Sequence, residues 1–230
     1  MFLSRVQINS ARRASRQLLG SPQSMHAAVL SAFPHPDDER GRVLWRVDRD
    51  AHHVWLYVVS RYEPDFTAIV EDAGWPSTQR GWDTRPYAPV LDGLVEGQRW
   101  AFRLTANPTR STARRGRMSE AAPEAVELNA KGRPKTRRYG HVTVEQQLNW
   151  FAGRTDDWGF TLPGEGGGVV VHDRQTRRFQ RGGRTVTLVT ASFDGLLEVS
   201  DPARLRDALV TGLGPAKGYG CGLLTLAPVR

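Results

Sequence analysis

Residues Phe2 to Asn9 alternate in character, with Phe2, Val6 and Ile8 on one face and Arg5, Gln7 and Asn9 on the other. That period predicts a strand with one buried side. Ser21-Pro22 follows, a capping residue with proline at the first helical position, and it opens a helix that must stop before Pro34. Met25, Val29, Ala32 and Phe33 make its apolar stripe. Val43 to Val47 and Val54 to Val59 read as two strands joined by the polar turn Asp48-Arg49-Asp50-Ala51. A short helical stretch after Pro64 and a turn-rich tract from Trp75 to Pro89 lead to a final strand, giving the order β-α-β-β-α-β.

The second half repeats that order. Arg99 to Ala106 alternates cleanly, with Trp100, Phe102 and Leu104 on one side. A long basic connection, 108–140, leads to a helix beginning near Thr143. Gly168 to Val171 and Val186 to Val199 are strand-like, with an arginine-rich tip, 172–184, between them. Asp201-Pro202 opens a second capped helix whose Leu205, Ala208 and Leu209 face inward and which ends at Gly212. The chain closes on the apolar strand Leu223 to Val229. The pattern predicts an α+β protein of two tandem ferredoxin-like (RRM-like, βαββαβ) domains, 1–92 and 93–230. On this reading Trp45, Trp55 and Trp100 belong to the core.

Composition narrows the class. A length of 230 residues accommodates two compact domains without staples. The single cysteine, Cys221, rules out an internal disulfide and a cysteine-based zinc site. The longest uninterrupted apolar stretch, Val54 to Val59, is far short of the ~20 residues a membrane span needs. No secretory apolar run precedes Arg12 and Arg13, so a soluble, cytoplasmic protein is expected.

The net charge is +8, and nearly all the positive charge is arginine. Its distribution is uneven. Residues 1–20 carry four arginines and no acid, 108–140 nine bases and three acids, and 172–184 five bases and one acid. The rest of the chain is therefore net acidic. A GC-rich genome raises arginine overall but does not concentrate it, so the clustering points to a polyanion, and nucleic acid is the expected partner.

The densest motif is Gly212-Leu213-Gly214-Pro215-Ala216-Lys217-Gly218-Tyr219-Gly220-Cys221-Gly222. One glycine serves the helix C-terminus at Gly212. The others let backbone approach a ligand and present N–H groups to phosphate oxygens. No Gly-Lys-Ser/Thr follows, and the loop leads from a helix into a strand, so it is neither a Walker A loop nor a dinucleotide fingerprint. Its spacing, Gly-hydrophobic-Gly, five residues, Gly-hydrophobic-Gly, resembles the signature of the RAMP superfamily of CRISPR-associated RNA-binding proteins. Further residues resemble the CasE-type endoribonucleases in particular: Phe2-Leu3-Ser4-Arg5-Val6, Met25-His26, Leu44-Trp45-Arg46, Phe102-Arg103-Leu104 with Ala106-Asn107-Pro108, and Leu197-Glu198-Val199.

The resemblance implies tandem ferredoxin-like domains that read the stem-loop of a CRISPR repeat and cut at its 3′ base without a metal or other cofactor. A 2′-hydroxyl attacks the adjacent phosphate, leaving a cyclic phosphate and a 5′-hydroxyl. It also implies that the enzyme keeps its product hairpin and joins the Cascade surveillance complex, and we expect a monomer when free. The family's catalytic histidine maps onto His26. On a helical wheel His26 lies at the edge of the apolar stripe, and its place near a helix N-terminus favours the neutral imidazole that can accept a proton. Relatives carry a tyrosine three residues earlier, where this chain has Gln23, whose amide can orient substrate but is neither acid nor base. A two-residue proton relay is therefore in doubt, and the alternative reading is a non-catalytic RNA-binding subunit of the same fold.

The remaining expected RNA contacts come from the basic segments and the loop. The connection 108–140 supplies Arg110, Arg114, Arg115 and Arg117, then Arg133, Lys135, Arg137 and Arg138, in a composition that suits a linker ordered by RNA. The hairpin supplies Arg174, Arg177, Arg178, Arg181 and Arg184, suited to phosphates and A-form shape. The loop supplies Gly214, Lys217, Gly218 and Gly220, with Lys217 a candidate for stabilising charge on the phosphorane. His52-His53 reads as an exposed turn, and His35 with Asp37, Asp38 and Glu39 as an acidic loop lacking the convergent carboxylates of a two-metal nuclease.

Overall fold

A computed structural model describes residues 1–34, 43–75, 81–113, 136–164, 168–181 and 183–229. The first sheet is four-stranded, β2-β3-β1-β4, from β1 (Phe2–Ile8), β2 (Leu44–Arg49), β3 (Val54–Ser60) and β4 (Trp82–Pro86). All three pairings are antiparallel, the strand order of a split βαβ. The helices are α1 (Arg13–Gly20), α2 (Pro22–Leu30) and α3 (Thr67–Ala73), with a short α4 (Ala88–Asp92) after β4. The second sheet runs β11-β5-β10, and its far edge is shared by β8 and β9. Its members are β5 (Arg99–Ala106), β8 (Phe160–Thr161), β9 (Val170–Arg181), β10 (Arg184–Val199) and β11 (Leu224–Pro228), with helices α5 (Val144–Ala152) and α6 (Pro202–Thr211). The fold is α+β, two ferredoxin-like units in tandem.

Three features depart from the sequence pattern. The ends of the basic connection pair as an antiparallel ribbon, β6 (Thr109–Ala113) with β7 (Thr136–Gly140), where composition alone suggested a linker. The arginine-rich segment is not a tip, because β9 and β10 pair out to Arg181 and Arg184 and its arginines ride on strand arms. Trp45 is buried and Trp100, half-buried, packs against the larger core, but Trp55 is half-buried and belongs to neither core cluster. Trp55 instead lies under the guanidinium of Arg5, 4.9 Å from its ring centre.

Alternation along β2 explains how the two sheets meet. Val43 and Trp45 join Val6, Leu56, Val58, Met25 and Val29 in a cluster beneath α2 and α3. Leu44 points the other way and joins Val59 in the larger cluster around Phe102, Leu104, Phe151, Phe193 and Leu209. That larger core is therefore common to both sheets. On the same face as Leu44, Arg46 is 2 % exposed, and its guanidinium donates to the carbonyls of Arg103 and Leu223, each at 2.8 Å, and to Thr225 Oγ1. Asp48 accepts its remaining donors at 2.6 and 2.8 Å. A buried arginine is tolerated because its donors are met in this way.

A candidate RNA-cleavage cleft

Helix α2 starts where the sequence places it. Ser21 Oγ accepts from the Ser24 amide at 3.2 Å, Pro22 fills the first turn, and Met25 and Val29 sink into the first core. Those anchors fix the rotation of the helix. His26 is left half-buried on its flank and Gln23, one turn earlier, is exposed.

The glycine loop comes to that flank. Between Gly212 and Gly222 the chain makes a 3₁₀ turn, Lys217–Tyr219, packed against α2 and β2. A methyl group built on Gly218 would stand 3.5 Å from His26 Nε2, in ordinary contact, so the imidazole faces the loop backbone across a gap about the size of a methyl group. Gly220 sits on Trp45: it has φ +81°, and a Cβ there would approach the indole to 2.7 Å. Only glycine meets both demands. Ala216 takes the left-handed region without being glycine, φ +69°, a strained conformation inside the same loop.

His26, Gln23, Pro215, Ala216, Gly218 and Tyr219 form one wall of a cleft of about 790 Å³. The other wall is Asn107 and Thr109, then Tyr139 and Gly140 of the ribbon, and residues 186–189 of β10. The hairpin leans on the loop through Phe179, whose ring meets that of Tyr219 edge-on at 4.9 Å. Polar side chains, loop backbone and the apolar side chains of Val186, Leu188 and Val189 thus line the cleft with the imidazole.

The expected RNA-binding residues are distributed unevenly. Gly218 borders the cleft, Gly214 and Gly220 shape the loop, and Lys217 turns its ammonium to the carbonyl of Thr211 at 2.6 Å, at the end of α6. Arg110 and Arg178 are exposed. Arg174 is exposed too, but its guanidinium donates to Gln147 Oε1 and the carbonyl of Val142, tying β9 to the start of α5. Arg177 is half-buried beside Arg49; burial, then the neighbouring charge, lowers its pKa. Arg137 and Arg138 lie on β7, and Arg181 and Arg184 close the β9–β10 hairpin. Arg114, Arg115, Arg117, Arg133 and Lys135, like His35 and the acidic residues after it, fall outside the described residues. Among the described residues, no three His, Cys, Asp or Glu side chains are grouped to hold a metal ion, and no helix is long and apolar enough to cross a membrane.

Sequence patterning did not single out Asn107, Tyr139 or Tyr219 as cleft residues. The available signals were an asparagine just past a strand end, an aromatic among arginines, and an aromatic flanked by glycines. None has a period.

On the second sheet three ionisable groups that do not line the cleft are linked. Arg103 donates through Nε to Asp194 at 2.8 Å, and His172 Nε2 is 3.2 Å from the same carboxylate. Burial alone would raise the Asp194 pKa; the hydrogen bonds and charge of Arg103, then His172, outweigh it and hold the carboxyl below its ordinary value.

This constellation of tandem ferredoxin-like units, a histidine-bearing helix and a glycine loop is that of a CRISPR RNA-handling protein. The family model for CRISPR associated protein matches residues 1–228, and the chain belongs to that family. It is 30% identical to the CRISPR-associated endoribonuclease Cse3 of Thermus thermophilus over 99% of this chain and all of the relative. It is 28% identical to the Cascade subunit CasE of Escherichia coli over the whole length of both. Among solved structures, that of Thermus thermophilus Cse3 bound to an RNA representing a pre-cleavage complex superposes with a TM-score of 0.73 at 29% identity, covering 99% of this chain and 98% of the other.

Proposed function

We propose that this chain is a metal-independent endoribonuclease that cleaves CRISPR repeat RNA at the 3′ base of its stem-loop. The observation that carries the reading is the imidazole of His26, which faces Gly218 of the glycine loop at the edge of a cleft with room for a nucleotide. His26 Nε2 takes the proton of the 2′-hydroxyl beside the scissile phosphate. The freed oxygen attacks phosphorus, the bond to the 5′-oxygen breaks, and that oxygen takes a proton from the imidazolium as it leaves, which returns His26 to the neutral form. The products are a 2′,3′-cyclic phosphate and a 5′-hydroxyl. Acid–base assistance of this kind contributes roughly 10²–10⁴ in rate. Gln23 orients the substrate by hydrogen bonding, and loop amides meet the developing negative charge.

Exposed Arg178 and Arg110 extend the surface along hairpin and ribbon for phosphate contacts. The two units, 1–92 and 93–230, grip the stem together, and the product hairpin stays bound as the protein takes its place among Cascade subunits in the cytoplasm.

Repeat RNA incubated in EDTA tests the reading. Wild type is expected to cut unmodified RNA, to leave RNA carrying a 2′-deoxy sugar before the scissile phosphate intact, and to lose cleavage on His26→Ala while still binding. Cleavage by His26→Ala within a few-fold of wild type overturns the assignment. Binding without cleavage by wild type means an RNA-gripping subunit instead.

A further inference from the structure

Arg174 belongs by sequence to the arginines of the hairpin, yet its guanidinium is engaged by the protein itself. Strand β9 carries one residue more than β10 at this point: Gln175 pairs with Thr190 and His172 with Ser192, so Asp173 and Arg174 together stand opposite Ala191. That is a bulge, and Asp173 has φ +47°, a left-handed backbone that few residues other than glycine take. Bulges re-aim side chains. Here Arg174 is aimed at the start of α5, where its Nε donates to Gln147 Oε1 at 3.1 Å and its Nη2 to the carbonyl of Val142.

The segment it holds is tied down at three further points. Gln147 is 1% exposed, and its amide nitrogen donates to the carbonyl of His141 at 2.8 Å. The His141 amide donates to the carbonyl of Pro108 at 2.8 Å. Gly140 lies flush on Val189 of β10, where a Cβ would approach the valine to 2.5 Å. Tyr139 and Gly140, at the end of this segment, belong to the cleft wall opposite His26. Further along β9, Phe179 meets Tyr219 of the glycine loop edge-on at 4.9 Å. One strand therefore holds both walls of the cleft, the ribbon through Arg174 and the loop through Phe179.

We infer that Arg174 is a positioning residue for the cleavage reaction: it fixes the ribbon wall of the cleft relative to His26 and makes no phosphate contact of its own. This rests on the cleft being the cleavage site. A planar guanidinium that donates to two acceptors sets direction as well as distance, which a single-point contact does not. Catalysis is sensitive to such placement, since a shift of about 1 Å caused far from the chemistry can cost about 10²-fold in rate. Arg178, exposed on the same strand, is the natural comparison, as an arginine left open to phosphate.

The test uses full-length protein and separates binding from chemistry. Binding is measured over a series of salt concentrations on repeat RNA made uncleavable by a 2′-deoxy sugar, and single-turnover cleavage on natural RNA at saturating protein. Arg174→Ala should bind nearly as tightly as wild type with the same salt slope, because no phosphate contact is lost. Its cleavage at saturation should slow about tenfold or more. Arg178→Ala is the reference for a lost phosphate contact, and its salt slope should fall by about 0.7–0.9. Arg174→Lys keeps a donor for one of the two acceptors and should recover part of the rate. A role in stability alone would lower the melting temperature of Arg174→Ala but leave its saturated rate, assayed well below melting, at the wild-type value. That rate, or a salt slope that falls as for Arg178→Ala, overturns the inference while cleavage by wild type still stands. If wild type does not cut the RNA, the underlying function fails instead. Arg174 is exposed, so its variants fold and the outcome stays readable.

Discussion

Arg46 Nη1 donates to the carbonyl of Leu223 at 2.8 Å, joining positions 177 residues apart in the chain. The bond runs from β2 of the first sheet to the edge of β11 in the second, with Arg103 and Thr225 accepting alongside. Truncating Arg46 leaves two carbonyls and the Asp48 carboxylate without their donor. Breaking such a pair costs about 3–5 kcal/mol. Arg46→Ala should lower the urea midpoint accordingly, and Arg46→Lys should recover only part of the loss, because an ammonium cannot reproduce the guanidinium fork.

Gly220 meets a second constraint. Gly220→Ala places a methyl against Trp45 at a backbone angle that L-residues avoid. The expected loss is about 1–3 kcal/mol, read as a lower melting temperature. Cleavage should fall further than stability, since the same loop carries Gly218 to His26.

At Gly218 the space admits a methyl and little more. Gly218→Ala should stay near wild type. Gly218→Leu should slow cleavage at least about tenfold by displacing the imidazole, in keeping with the sensitivity of catalysis to small misplacements, while stem-loop binding measured by filter retention changes only a few-fold.

Asp194 predicts an acid limit. Its folded pKa lies below the ordinary 3.8, because Arg103 and His172 outweigh the opposing effect of burial. The stabilisation is complete above the unfolded value and is lost as pH falls through the folded one. Between pH 5 and 2, wild type should lose stability in urea titrations more steeply than Asp194→Asn. Parallel slopes for the two would refute the pairing.

Burial pushes the Cys221 thiol up to about 12, against a small opposing pull from Arg177. A thiol kept neutral and enclosed is inert. Native protein should resist iodoacetamide at pH 8 and react with one equivalent once unfolded; rapid native labelling would contradict the packing of the loop.

What could be read beforehand was what has a period or a cap. Alternation located β1 and β5, and Ser21-Pro22 and Asp201-Pro202 located the starts of α2 and α6, because those signals are local. Helix α1 escaped because residues 13–17 hold no apolar side chain larger than that of Ala14 and its only large apolar side chains, Leu18 and Leu19, stand together at its end. The ribbon escaped because Thr109–Ala113 and Thr136–Gly140 hold no alternating apolar face. In the site, His26 was reached through family resemblance, since one histidine on an apolar edge has no signature of its own. Arg46 was legible only as a charge inside an apolar strand, and its partners lie on β5 and β11. Asn107 and Tyr139 become neighbours of the cleft through tertiary structure alone.

The imidazole of His26 and the glycine loop it faces come from parts of the chain far apart in sequence. A ribosome making this protein exposes His26 well before Gly218, the residue its ring faces. On the proposed assignment the nascent chain therefore emerges without scissors, and transcripts nearby are safe from it until translation has passed Gly222.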